Sequence, residues 1–212
     1  MKVTKYEHAC LVVEDGGKRL VIDPGSFVKS LPKSLDKVSA IVITHVHQDH
    51  FDLAQIENIL EHNPEAKIFC TEEVAKELDG KHAKAVTGGD SAEAGPFKLR
   101  FFGSQHAVIH DSWPTNQNVG VLVNDSFYYP GDSFTKPGVK VALLALPVSA
   151  PWLKLAEVMD YVNAIKPTTA FPTHNALLSD IGQGMMEQML GGVAQGNGGT
   201  LKPLKTGESI EI

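Results

Sequence analysis

Only two cysteines occur in the 212 residues, Cys10 and Cys70, and each lies inside an apolar, strand-like run. Two thiols are too few for a multiply bridged scaffold, and they read as reduced core residues ahead of a single disulfide or a ligand role. No apolar run approaches the roughly 20 residues needed to span a bilayer. The opening Met1-Lys2-Val3-Thr4-Lys5-Tyr6-Glu7-His8 also lacks the apolar stretch of a signal peptide. The expected location is the cytoplasm, with no membrane partner. Lysine and arginine never form a block and the formal net charge is −6, which argues against a nucleic-acid backbone as partner. No internal repeat is visible. What remains is 42% apolar and 21% charged residues, the balance of a chain with a packed core rather than a disordered one. The length suits one domain over residues 1–212, and oligomeric state is unspecified, a homo-oligomer included.

The pattern along the chain gives the order of elements. Ala9 to Val13 and Leu20 to Ile22 suit strands, with Asp15-Gly16-Gly17 as the turn between them. Asp23-Pro24-Gly25 stops the second, and Ala40-Ile41-Val42-Ile43-Thr44 is a third, buried strand. A helix follows, with Asp52 and Gln55 resembling a capping box and Leu53, Ile56, Ile59 and Leu60 on one face. Lys67 to Cys70 reads as a strand, and Thr71 caps a second helix with Glu72 and Glu73 in its first turn. Phe97 to Phe102, Val119 to Val123, Phe127 to Tyr129 and Val141 to Leu146 then read as β structure. Leu155, Val158, Met159, Val162 and Ile165 mark a longer helix, and Thr168 to Phe171 a strand. Leu177 to Leu190 reads as the last helix, and glycine-rich Gly191 to Gly199 as a surface loop. The fold class is α/β, two mixed sheets packed together with helices outside, because the elements do not alternate as regular βαβ units.

Three of the nine histidines fall within His45-Val46-His47-Gln48-Asp49-His50, at a strand end. In an extended chain His45 and His47 project to one side. Asp49 and His50 lie where the chain must turn before Asp52. Four metal-competent groups in six positions seldom arise as a solvated patch, so the segment reads as a metal site. Further candidates stand where strands pass into loops: His106 after Phe97–Gln105, Asp132 in Pro130-Gly131-Asp132-Ser133, and His174 in Pro172-Thr173-His174. His110 competes with His106 for one role. His8, His62 and His82 have no such setting, and the last two read as solvated surface.

The run Thr44-His45-Val46-His47-Gln48-Asp49-His50 resembles the signature of the metallo-β-lactamase-fold hydrolases. Asp23, His106, Asp132 in Gly-Asp-Ser and His174 follow that family's order. His8-Ala9-Cys10, Ile22-Asp23-Pro24, Leu144-Ala145-Leu146-Pro147 and Phe171-Pro172-Thr173-His174 resemble its compact branch. That branch includes ascorbate-phosphate lactonases and N-acyl-phosphatidylethanolamine phospholipases. The resemblance implies a four-layer αββα sandwich. It implies that His45, His47 and His106 hold one metal, that Asp49, His50 and His174 hold a second, and that Asp132 bridges them. Asp23 would orient a ligand imidazole from behind. Two cations about 3.5–4 Å apart would share a water, lower its pKa and present hydroxide near neutral pH. Asp49 and Asp132 are thus catalytic candidates, and His110 is a proton donor, a substrate contact or a structural residue.

Departures from the family pattern narrow the substrate. Lactam-hydrolysing members typically carry a cysteine where Asp132 stands, and diiron oxygen-reducing relatives have glutamate where His47 stands, together with a flavin domain. Nucleases of the fold usually add an insertion or a second domain. The expectation is a two-metal hydrolase of a small-molecule ester, lactone or phosphodiester. Zinc is the leading metal, with manganese, iron and nickel also suited to histidine and carboxylate donors. Two other classes compete: a mononuclear iron oxygenase acting on a sulfur compound, and a metal-dependent binding protein without catalysis. Loops 24–37 and 107–118 would shape the pocket, with Phe27, Trp113 and Trp152 as walls, although Trp113 beside Pro114 reads equally as a packed aromatic. The ligand assignment predicts that His45→Ala and Asp132→Asn variants lose bound metal. Full metal content in both, by mass spectrometry, would refute it.

Overall fold

Alternate residues of the central strands part to opposite faces of their sheets, and the three apolar cores follow from that alternation. In the computed structural model, which describes residues 1–78 and 83–212, the first sheet has the order β14-β1-β2-β3-β4-β5-β6. Its strands are β1 (Lys2–Lys5), β2 (Leu11–Asp15), β3 (Lys18–Ile22), β4 (Val38–Ile43), β5 (Lys67–Cys70), β6 (Ala83–Ala85) and β14 (Ser209–Glu211). The second sheet has the order β13-β12-β11-β10-β9-β8-β7. It comprises β7 (Ser91–Ala94), β8 (Phe97–Phe102), β9 (Gly120–Val123), β10 (Phe127–Tyr129), β11 (Leu143–Pro147), β12 (Thr169–Thr173) and β13 (Thr200–Leu201). Both sheets are mixed: β3 to β6 run parallel in one, and β10 to β13 in the other.

Leu11, Val13, Leu20, Ile22 and Val42 face inward and meet Phe97, Phe101, Val121, Val123, Phe127 and Phe171 of the other sheet. The intervening Val12, Val21, Ile41 and Ile43 point outward and pack on Ile56, Ile59 and Val74. These three belong to α1 (Leu53–His62) and α2 (Glu72–Glu77). On the far side Leu122, Tyr128, Leu144 and Leu146 pack on α3 (Leu155–Ile165) and α4 (Asp180–Gly196). The result is the expected αββα sandwich. Because both faces of each sheet are covered, the strands read as nearly continuous apolar runs.

Local chemistry sets the boundaries. Gly16 and Gly17, at φ +50° and +72°, form the two-residue turn between β2 and β3. The Asp52 carboxylate accepts from the Gln55 N–H, but the Gln55 side chain donates to the Val28 carbonyl at 2.8 Å, so the expected box is half made. Thr71 caps α2 as anticipated. Both cysteines are buried free thiols, and burial pushes Cys70 up to about 12. One expectation is corrected: residues 191–196 are helical, not loop, and α4 begins at Asp180 behind a Ser179 cap. Leu190 and Ala194, one turn apart, are buried against the second sheet, and that packing overrides the glycines' low helix propensity. His82 lies outside the described residues. No helix among the described residues is long and apolar enough to cross a membrane.

The loop leaving β3 comes very close to the segment leaving β4. A Cβ on Gly25 would lie 2.0 Å from the Asp49 carbonyl oxygen and 2.5 Å from the His50 nitrogen. Only glycine permits that approach, and the Ser26 N–H bonds the Gln48 carbonyl beside it at 2.7 Å. Gly25→Ala should therefore cost about 1–3 kcal/mol through forced backbone displacement. Chemical denaturation checks this, and an unchanged midpoint would show that the loop can withdraw freely.

Candidate metal centre

The carboxyl ends of parallel strands from both sheets meet at one rim of the sandwich. From the first sheet, β3 delivers Asp23 and β4 delivers Thr44 through His50. From the second, the loops after β8, β10 and β12 deliver His106, Asp132 and His174. All seven expected ligands converge there. His45, His47 and His106 form one group with ligand atoms within 4.8 Å of one another. Asp49, His50 and His174 form another, joined by His8, and Asp132 groups with His45 and His50. Asp132 lies between the groups, with Oδ1 3.3 Å from His50 Nε2 and Oδ2 3.5 Å from His106 Nε2 and 3.1 Å from His174 Nε2.

Each of these imidazoles is held from behind. His50 Nδ1–H donates to Asp23 Oδ2 at 2.7 Å. Asp23 also accepts from the Thr44 N–H at 2.7 Å and from the Thr44 hydroxyl at 2.6 Å. Having given its proton to Asp23, the Thr44 oxygen accepts from His45 Nδ1–H at 3.0 Å. His106 and His174 donate Nδ1–H to the carbonyls of Ala107 and Ser149, each at 2.5 Å. His47 donates Nε2–H to Asn116 Oδ1 at 3.1 Å. Acceptors on the far side fix each tautomer and leave the other nitrogen as a lone pair facing inward.

Four of those inward nitrogens, Nε2 of His45, His50, His106 and His174, are buried and make no hydrogen bond among the described residues. Unpaired buried acceptors beside carboxylates are unfavourable by themselves, and a divalent cation is the partner that satisfies all of them. The donors therefore fit a metal. The electrostatics agree. Burial pushes His45 well below the ordinary imidazole value, so it stays neutral. Burial opposes the charged form of His174 too, but the Asp132 carboxylate, aided by Asp49 and the Ser149 carbonyl, raises it to about 10. Burial likewise opposes ionisation of Asp49, yet the adjacent His174 imidazole, 3.3 Å away, and the His8 hydrogen bond hold it well below the usual carboxylate range. The site is a concentrated negative field that attracts a proton or a metal.

Trp152, expected as a pocket wall, is buried, and its indole Nε1–H donates to Asp132 Oδ2 at 2.8 Å. Phe27 packs on His8 with ring centroids 5.0 Å apart, and Trp113 is exposed. His110 is exposed on the 107–118 loop and bonds the Ser112 hydroxyl at 2.8 Å, apart from the convergent groups. His62 bonds the Asn58 carbonyl on the surface of α1, as expected. Sequence reasoning missed His8: the residue lies in the turn between β1 and β2, on the same rim, with Nε2 3.0 Å from Asp49 Oδ2. Recognising β1 as a strand would have placed it.

The family model of the beta-lactamase superfamily domain matches residues 2–174, and the chain belongs to that superfamily. Protein Rv0786c of Mycobacterium tuberculosis is 37% identical over 190 residues, covering 87% of this chain and 89% of that one. A UPF0173 metal-dependent hydrolase of Aeropyrum pernix is 27% identical over 199 residues, covering 82% and 81%. Among solved structures, Igni18, a metallo hydrolase from Ignicoccus hospitalis, superposes with a TM-score of 0.74 at 18% identity, covering 99% of this chain and 97% of that one. CmlA, a diiron beta-hydroxylase from Streptomyces venezuelae, shares the fold at TM-score 0.75 and 13% identity, covering 100% of this chain and 54% of its own. The fold thus carries more than one chemistry.

Removing the Asp23 carboxylate should free His50 and, through Thr44, His45. Asp23→Ala is expected to weaken metal affinity about 10–100-fold. Competition against a coloured chelator measures it, and unchanged affinity would mean that burial alone fixes the rings.

Proposed function

We propose that this chain, a metal-dependent hydrolase, works with two divalent cations and cleaves an ester, lactone or phosphodiester of a small molecule. The observation that carries the reading is the set of tautomer-fixed imidazoles, four of whose inward nitrogens have no partner among the described residues, with Asp132 between the two groups. His45, His47 and His106 would hold one cation, Asp49, His50 and His174 the other, and Asp132 would contact both. Zinc suits this thiolate-free donor set first, with manganese, iron or nickel as alternatives. When bound, such a pair lowers the pKa of a shared water to give a hydroxide nucleophile and polarises the oxygen of the scissile group.

The chain's own residues prepare that chemistry. Asp23, Thr44, Asn116 and the carbonyls of Ala107 and Ser149 hold the rings in one orientation, so little reorganisation is needed. Trp152 fixes one oxygen of Asp132 and shields it from water. Asp49, at 19% side-chain exposure, is the least buried of the three carboxylates, so it is the one a substrate oxygen would reach first. His110, exposed on the 107–118 loop that follows His106, would be a substrate contact or proton donor, with a structural role as the alternative.

Metal analysis by mass spectrometry on protein purified without chelator or added metal tests this, followed by a panel of lactones, esters and phosphodiesters. About two equivalents of zinc or manganese per chain, with turnover of one substrate class, is the expected result. A single equivalent of iron with oxygen consumption would replace the reading with the sulfur-compound oxygenase. No metal after reconstitution would remove it.

A further inference from the structure

His8 is buried to 1% exposure and its ring groups with Asp49, His50 and His174, yet it is not one of the seven residues assigned above as ligands. Its orientation is the reverse of the other rings. In those, the outer nitrogen is spent on a protein acceptor and the inner one is free. In His8 the nitrogen facing the cluster, Nε2, is spent on Asp49 Oδ2 at 3.0 Å, and the far nitrogen, Nδ1, is buried without a hydrogen bond among the described residues. A carboxylate only accepts, so Nε2 carries the proton and offers no lone pair to a cation. That orientation disqualifies His8 as a ligand while it qualifies as a donor that sets one.

The backbone supports the same role. His8 sits at φ +57°, a left-handed conformation that costs a non-glycine residue energy and persists only where its surroundings enforce it. The bend turns the His8 carbonyl to accept from the His174 N–H at 2.9 Å and lays the two rings 3.8 Å apart. One residue therefore touches two of the three ligands assigned to the second cation. Among the described residues, every other ligand has its own outside partner: Thr44, Asn116, Asp23, Ala107, Ser149 or Trp152. Asp49 has His8.

We infer that His8 is the positioning residue of the second cation site, holding the Asp49 carboxylate through Nε2–H and the His174 main chain through its carbonyl. This rests on the two-cation reading above. The test is zinc stoichiometry of the full-length protein by mass spectrometry, after equilibrium dialysis against graded chelator, for the wild type, His8→Phe and His8→Gln. Phenylalanine keeps a ring against His174 and Phe27 but removes the donor. Glutamine carries an amide N–H at nearly the reach of imidazole Nε2. His8→Phe should hold the first zinc within about twofold and bind the second about 10–100-fold more weakly, the usual effect of losing an outer partner of a ligand. His8→Gln should recover most of the second. Thermal unfolding of the metal-free variants shows whether the fold is retained. A His8→Phe protein that keeps both zincs as tightly as the wild type would overturn the inference. So would a His8→Gln protein as weak as His8→Phe, since the N–H would then not be what matters. A wild type that binds one zinc or none fails at a different point, because the two-cation reading itself then falls and takes this role with it.

Discussion

The Asp23 carboxylate, wholly buried at the end of β3, accepts three hydrogen bonds, and the geometry of the whole rim depends on them. Two come from Thr44, the first residue beyond β4, and lock the ends of two adjacent parallel strands together. The third comes from His50, which is thereby aimed at the centre. Because Thr44 donates its hydroxyl proton to Asp23, its oxygen must accept from His45, so one carboxylate decides the tautomer of two rings. A buried carboxyl group is tolerable only when its oxygens are hydrogen-bonded, and here the donors that satisfy it are the groups that must be oriented.

The second constraint is close approach. The turn after β3 lies against the backbone of Asp49 and His50 with no room for a side chain at Gly25. Gly131, at φ +63°, performs a similar service before Asp132, where a Cβ would meet Asn118 Oδ1 at 2.3 Å. Three of the converging residues, His8, Asp23 and His174, themselves adopt left-handed backbone conformations. Strain of this kind is retained where the surroundings over-determine a conformation, as the contacts of these three residues do.

Much of this was legible in the sequence, for identifiable reasons. The segment from His45 to His50 concentrates donors that only a metal or a proton relay requires, and Asp132 and His174 stand at punctuated strand ends. The two-layer β core was legible because buried strands are continuous apolar runs. Main-chain partners were not: the carbonyls of Ala107 and Ser149 that orient His106 and His174 have no signature in residue type. Trp152 reaches Asp132 across 20 residues, a contact that only the tertiary structure supplies. His8 was hidden because β1, four residues with a lysine at each end, is a weak strand in isolation and is made by pairing with β2 and β14. The helical residues 191–196 were hidden by glycines whose local preference yields to the burial of Leu190 and Ala194.

The donors are divided between the two sheets: His45, His47, Asp49 and His50 belong to one, and His106, Asp132 and His174 to the other. Cations bound among them would act as rivets across the sandwich, joining layers that elsewhere meet through side-chain packing. Binding only the assembled form, they would add their binding free energy to its stability. Catalytic competence and mechanical cohesion would then rise and fall together, and metal scarcity would loosen the protein at the rim where it works.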